Sequence, residues 1–265
     1  LMNYMLDSGF YKRQLCIKEW DNDKLKNQKA LVLGLGGIGS TVVVNLCRLG
    51  IANITLVDDD IVEEDDINRQ ILFNGEDAAK RDYKVNCARR DIFNKHAHDT
   101  IIYTSRIDAI RSWSVVRDFI DNCTCVFQCM DLGDYFDAAI SSYCLRKNIP
   151  IFFGGVDYIY NNIVSVFSQV PSHNSCFCCA HDLGDRNLLN KLHPNCVQKH
   201  LDLKFLPVKR TPDFMGLSIN ASSMCAQLIV NYFIQNLNQR PVPVTTLLNL
   251  RTMEIQNWEK IEKHE

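Results

Sequence analysis

Ala30-Leu31-Val32-Leu33-Gly34-Leu35-Gly36-Gly37-Ile38-Gly39-Ser40 decides how the rest of the chain is read. The four apolar residues fit a buried strand and the glycines fit a tight turn. Thr41 to Leu49 then continues as a helix closed by Gly50. A second apolar run, Asn53-Ile54-Thr55-Leu56-Val57, ends at Asp58-Asp59-Asp60. Strand, glycine turn, helix and strand make a βαβ unit. Gly34-x-Gly36-x-x-Gly39 in that context has the spacing of a nucleotide loop, where a tight turn brings phosphates onto amides at a helix N-terminus. Asp58 ends the second strand, where a carboxylate can accept from both ribose hydroxyls. A glycine turn that holds no ligand is the plainer alternative.

Outward from this unit the alternation continues. Asp77 to Ile92 reads as a helix, Ile101 to Ser105 as a strand and Ser112 to Ile120 as a helix. Cys125 to Met130 is a buried strand, Asp134 to Arg146 a helix, and Pro150 to Phe153 a strand ending at Gly154-Gly155. Such alternation implies a mainly parallel sheet covered on both faces. Ile163 to Val170 reads as a strand with no helix before it, and 171–212, rich in Cys, His, Asn and Pro, as a long crossover loop. Phe214 to Leu237 is a long helix, followed by one or two strands around Thr245 to Trp258. The predicted fold is one α/β domain: a doubly wound, mainly parallel sheet with a long crossover loop and antiparallel C-terminal strands. Residues 1–28 form an arm, 29–156 the nucleotide-binding half, and 157–265 the loop, helix and C-terminal strands, a half expected to form a dimer.

The 265 residues, 46% apolar and 23% charged, suffice for a core of this size. A net charge of -2 argues against a nucleic-acid partner. No apolar run reaches the ~20 residues that span a bilayer. The nearest, Phe214 to Phe233, is interrupted by Ser218, Asn220, Ser222, Ser223, Gln227 and Asn231. Leu1 to Phe10 lacks a basic region followed by an apolar one, so no secretory signal is read, and the missing initial Met reads as a trimmed start. The expected location is cytoplasmic. Twelve cysteines there are free thiols, metal ligands or a nucleophile rather than a disulfide framework. Cys47, Cys87, Cys123, Cys125, Cys129 and Cys144 fall in apolar stretches and read as small buried hydrophobes.

Three further residues separate the nucleotide chemistries. Arg69, in Ile67-Asn68-Arg69-Gln70, follows the acidic stretch closely enough to lie beside the same strand ends, and Lys84 is on the next helix. Asp131 ends the strand Cys125 to Met130, at the carboxyl edge where open α/β sheets bind ligands. Two cations and a carboxylate there suit ATP with Mg²⁺, the cations offsetting pyrophosphate charge and the carboxylate holding the metal. An NAD-dependent dehydrogenase would share Gly34 to Gly39 and Asp58 but leave Arg69, Lys84 and Asp131 without a role. Each residue alone reads as a solvated surface group; their joint placement carries the argument.

In order, Arg13-Gln14, Gly34 to Ser40, Asp58 to Glu63, Arg69-Gln70, Lys84 and Met130-Asp131 resemble the signature of the ThiF/MoeB/HesA family. That family includes adenylyltransferases of the thiamine and molybdopterin pathways, microcin-type peptide-adenylating enzymes and the adenylation domains of ubiquitin-activating enzymes. The resemblance implies a homodimer that uses ATP and Mg²⁺ to adenylate a C-terminal carboxylate. The acceptor would be a ubiquitin-like or sulfur-carrier protein tail, or a short ribosomal peptide. It also implies residue roles. Gly37 would sit under the phosphates with Gly34, Gly36 and Gly39 around it. Asp58 would take the ribose, with Asp60, Asn68 and Gln70 in the same cofactor site. Arg69 and Lys84 would bind the triphosphate, Asp131 would hold Mg²⁺, and Arg13 would act as an arginine finger in the partner's site. One departure stands out: Asp66 occupies the position of the family's usual Asn. Its carboxylate is expected to repel a triphosphate unless Mg²⁺ or Lys84 intervenes, or Asn68 takes over the role. A catalytically silent subunit of a heterodimeric activator therefore stays open as an alternative.

Two cysteine features complete the inventory. Cys176-x-x-Cys179 has the spacing of half a Zn²⁺ site. Family members complete it with a second such pair near the C-terminus, which is absent before Glu265; the chain then reads as cut short, or His173 or His181 completes the set. A cluster of loop thiols is the alternative. Cys196, in the crossover loop, matches the place where sulfur-transferring and ubiquitin-activating relatives have a cysteine that attacks the adenylate. Lys199, His193 or His200 would lower its pKa. The alternative is an incidental cysteine.

Overall fold

The computed structural model describes residues 9–17, 20–95, 99–156, 163–171, 177 and 219–258. Among them, eight strands form one sheet: β1 (Lys29–Leu33), β2 (Asn53–Val57), β3 (Ile101–Ser105), β4 (Cys125–Gln128), β5 (Ile151–Val156), β6 (Ile163–Gln169), β7 (Thr245–Asn249) and β8 (Glu254–Trp258). Their order is β3-β2-β1-β4-β5-β6-β7-β8. The pairs among β1 to β5 are parallel, and β6, β7 and β8 add on antiparallel. The chain runs outward from β1 to β3, then crosses back to lay β4 on the other side of β1. That reversal opens a crevice at the carboxyl ends of β1 and β4.

The helices are α1 (Asn22–Lys26), α2 (Gly37–Leu49), α3 (Gly75–Lys80), α4 (Lys84–Lys95), α5 (Trp113–Asp121), α6 (Asp134–Lys147) and α7 (Ile219–Leu237). They cover both faces of the sheet because successive strand side chains point to opposite sides. In β1, Ala30 and Val32 join a core with α2, α4 and α7. Leu31 and Leu33 join a second core with α5, α6 and Phe177. Phe127, Phe152 and Phe233 meet in the first core with ring centroids 5.4–6.2 Å apart, which seats α7 on β4 and β5. Burial of each such ring contributes about 1.5–3 kcal/mol. Among the described residues no helix is long and apolar enough to cross a membrane.

Two differences from the sequence reading bear on the site, beyond the earlier start of α2 at Gly37 and the end of β4 at Gln128. The helix expected over Asp77 to Ile92 is two helices, broken at Arg81, which adopts a left-handed conformation (φ 50°) and caps α3. The break lets 60–62 pair with 82–84: Val62 N–H donates to the Asp82 carbonyl (2.8 Å), Lys84 N–H to the Asp60 carbonyl (3.0 Å), and Ile61 bridges Tyr83. β5 also continues through Gly154-Gly155 instead of ending there. A side chain at Gly154 would press on Ile229 and Cys225 of α7, so the glycine keeps the helix close to the strand.

Candidate functional site

The glycine turn begins where β1 ends. Gly34 has φ 89°, a left-handed conformation that disfavours any side chain. A Cβ on Gly39 would collide with the Gly34 carbonyl oxygen, so the turn closes only with both glycines. Ser40 N–H makes the first helical bond of α2, to the Gly36 carbonyl (3.0 Å). The amides before it have no helical acceptor, and the helix dipole makes that end attractive to anions.

Asp58 braces the turn from the neighbouring strand. Its carboxylate accepts from Leu35 N–H (2.6 Å) and from Asp60 N–H (2.9 Å). Burial pushes its pKa up, and Lys84 and the Asp60 amide hold it at about 6. For Lys84, burial favours the neutral amine, but Asp58, Asp66 and Asp60 outweigh that and raise its pKa. Its Nζ lies 3.4 Å from both Asp60 and Asp66. The break at Arg81 explains this placement, since it ties the Lys84 backbone to Asp60.

Arg69 and Gln70 return to the same point through the 3-10 turn Glu64–Asp66. The Arg69 guanidinium donates to Asp66 (3.4 Å), Asn68 (3.3 Å) and the Asp65 carbonyl. Asp66 is buried, and it also accepts from Gln70 Nε2 (2.5 Å) and Glu63 N–H (3.1 Å). Counting Lys84, four donors surround it. A carboxylate only accepts hydrogen bonds, which suits this setting, whereas an Asn would turn a donor toward donors. The charge expected to repel a triphosphate is therefore matched by the two cations that the sequence reading assigned to that triphosphate. Asn68 is exposed and bonded to Arg69 rather than replacing Asp66.

Asp131 is exposed and stands past β4, beside the turn. Met130 lies against Gly34, and Cys129 N–H donates to the Leu33 carbonyl (2.8 Å). Gln128, which the sequence reading passed over, is buried and fixes this corner: its Nε2 donates to the Met130 carbonyl (3.1 Å) and Asp137 (2.8 Å). Asp58, Asp59 and Asp60 bring carboxylate oxygens within 4.8 Å of one another, a second set able to hold a divalent metal.

Arg13 does not join this cluster. Tyr11 is buried, and its hydroxyl packs on Gly50, the C-cap of α2. The exposed Arg13 follows Tyr11 by two residues, and the end of α2 that Tyr11 meets is about 20 Å from the glycine turn along a 13-residue helix. Cys176, Cys179 and Cys196, with His173, His181, His193, Lys199 and His200, lie outside the described residues. Burial raises the thiol pKa of Cys47, Cys87, Cys123 and Cys129 to about 12, and pushes Cys125 and Cys144 well up, so these are unreactive packing groups. Ser222 of α7 was read only as a polar break in an apolar run. It is fully buried and meets Gly37.

Comparison with known proteins agrees with this arrangement. The chain is 31% identical over 130 residues to the adenylyltransferase and sulfurtransferase UBA4 of Scheffersomyces stipitis, covering 46% of this chain and 29% of that protein. It is 28% identical over 189 residues to the molybdopterin-synthase adenylyltransferase of Salmonella typhimurium, covering 68% and 70%. The aligned part thus spans less than a third of the UBA4 chain. The crystal structure of E. coli MccB with ATP superposes with a TM-score of 0.64 at 23% identity, covering 90% of this chain and 66% of that one. PaaA gives 0.72 at 20% identity, covering 94% and 82%. These two share the fold. The ThiF family profile matches residues 11–265, glycine turn, cation cluster and C-terminal strands included, and the protein belongs to the ThiF family.

Proposed function

We propose that this chain activates a carboxylate with ATP, forming an acyl-adenylate and releasing pyrophosphate. The observation that carries the reading is the meeting of buried Arg69 and Lys84 at Asp66, close to the amino end of α2 and the carboxylate of Asp58. In this reading the ribose binds Asp58, and the phosphates lie over Gly34, Gly36, Gly37 and Gly39 on the first amides of α2. Arg69 and Lys84 turn part of their bonding from Asp66 and Asp60 to polyphosphate oxygens. The acceptor carboxylate oxygen attacks the α-phosphorus, the bond to the bridging oxygen breaks, and pyrophosphate leaves with the electron pair. No base is required, because a carboxylate is already a nucleophile; catalysis is positioning plus charge stabilisation. Asp131, with Asp58 to Asp60 as the alternative set, would hold a Mg²⁺ that offsets pyrophosphate charge. Asp60 accepts from Lys84 and Asn68 from Arg69, while Gln70 donates to the Asp66 that lies between the two cations.

Arg13 is too far from its own cluster to serve it, so we assign it to the site of a second copy. Cys196 is assigned as the acyl acceptor for onward transfer, and Cys176 with Cys179 as half a Zn²⁺ site. The acceptor we favour is a ubiquitin-like or sulfur-carrier protein tail, in line with the names of the sequence relatives; a short ribosomal peptide is second.

ATP–pyrophosphate exchange, screened against candidate tails, tests the reading. Exchange should appear with a free C-terminal carboxylate and vanish when that carboxylate is amidated. Binding of NADH without binding of ATP would overturn it.

Asp58 adds a pH dependence. Adenosine, which has no phosphate to titrate, should bind more weakly as the pH falls through about 6, because protonation removes the acceptor charge facing the ribose. Folding stability runs the other way. The folded chain holds this proton more tightly than the unfolded one, so the contribution is full below the ordinary carboxylate range and lost as the pH rises through about 6. Asp58→Asn should flatten both trends, measured as adenosine affinity and denaturation midpoint relative to wild type.

A further inference from the structure

Ser222 lies in the first turn and a half of α7, on the face that packs against α2. A Cβ built on Gly37 would sit 2.6 Å from its Oγ and 3.6 Å from Cγ of Arg69. The hydroxyl, the first residue of the nucleotide helix and the stem of the triphosphate arginine therefore meet at one point. Ser222 is 0% exposed, and its Oγ finds no hydrogen-bond partner among the described residues. The nearby hydroxyls of Ser40 and Thr41 behave differently, both donating to the Gly37 carbonyl (3.3 and 3.1 Å). A buried hydroxyl without a partner costs stability, and such a group in a native fold asks for a reason.

We infer that Ser222 is a phosphate-binding residue, its hydroxyl donating to a polyphosphate oxygen over Gly37. The inference rests on the adenylation reading above and adds α7 to the elements that build the site. It accounts for two features together. Gly37 has no side chain because Oγ of Ser222 occupies the space where one would begin. Cγ of Arg69 lies beside the same point, and a shift of the guanidinium from the Asp65 carbonyl onto the phosphates would open a path to Oγ. The new bond would be charge-assisted, the stronger class.

The full chain and its Ser222→Ala variant are to be titrated with Mg²⁺–ATP and with adenosine, and their melting temperatures compared without ligand. The variant should bind ATP roughly tenfold more weakly, the loss of one hydrogen bond to a charged group. It should hold adenosine within about twofold of wild type and melt at the same or a higher temperature, because the unpartnered hydroxyl is gone. A merely packing serine would leave ATP and adenosine affinities changed alike or not at all, and either result overturns the inference. A wild-type chain that binds no ATP overturns the adenylation reading itself, whereas ATP binding equal in wild type and variant overturns only the role of Ser222.

Discussion

Arg69→Ala is expected to lower ATP–pyrophosphate exchange by roughly 10²–10³-fold, the cost of removing one oriented donor from a site of developing charge. The guanidinium is buried and held by three acceptors, so little rotamer entropy is left to lose when phosphate arrives. The variant should lose stability, since Arg69 is a buried partner of Asp66, but stay folded because Lys84 still neutralises that carboxylate. Circular dichroism and a denaturation curve check the fold, and exchange at saturating acceptor checks the chemistry. An Arg69→Ala chain with exchange within threefold of wild type would refute the assignment. Asp131→Ala should also lose exchange while keeping the fold, since that side chain is exposed.

Lys84→Ala is expected to damage the fold as well as the reaction. Lys84 is buried among three carboxylates, those of Asp58, Asp60 and Asp66. Removing one partner from a buried ion pair costs about 3–5 kcal/mol, because the remaining charges lose their compensation. Unfolding in urea at neutral pH should show a loss of that size. Adding Asp58→Asn should recover part of it, since it removes a buried carboxylate whose charge Lys84 offsets. No recovery in the double variant would mean that Lys84 stabilises the fold through packing of its stem and not through charge.

Much of this fold is legible in the sequence because the signals that specify it are local. The run Ala30 to Leu33, the glycines after it and the capping Gly50 each act within a few residues. Buried parallel strands read as continuous apolar runs, which is why β1, β2 and β4 stand out. The break at Arg81 is not legible in the same way. No glycine or proline marks it, and the left-handed turn is held by pairing with 60–62, some twenty residues away.

The site divides similarly. Asp58 and Arg69 can be brought to one edge from the sequence because they stand at or just past the end of β2, whereas the seat of Lys84 depends on the break at Arg81. The meaning of Asp66 was not found, because its four donors come from Glu63, Arg69, Gln70 and Lys84, and only the folded chain shows that they converge. Read alone, a carboxylate near phosphates suggests repulsion; surrounded by donors, it organises the cations. Ser222 was missed because a serine in an apolar helix signals only that the helix is not a membrane span. Which element it touches is set by the packing of α7 on α2, a contact between distant parts of the chain.

The seat of Tyr11 on Gly50 has a kinetic corollary. It holds the arm at the opposite pole of the nucleotide helix, and if Arg13 serves a second copy, as we propose, its contribution is delivered to another molecule. Turnover per chain would then fall on dilution, as paired chains come apart. Mixing an Arg13→Ala chain with an Arg69→Ala chain would restore activity that neither has by itself, since each pair could still assemble one intact centre.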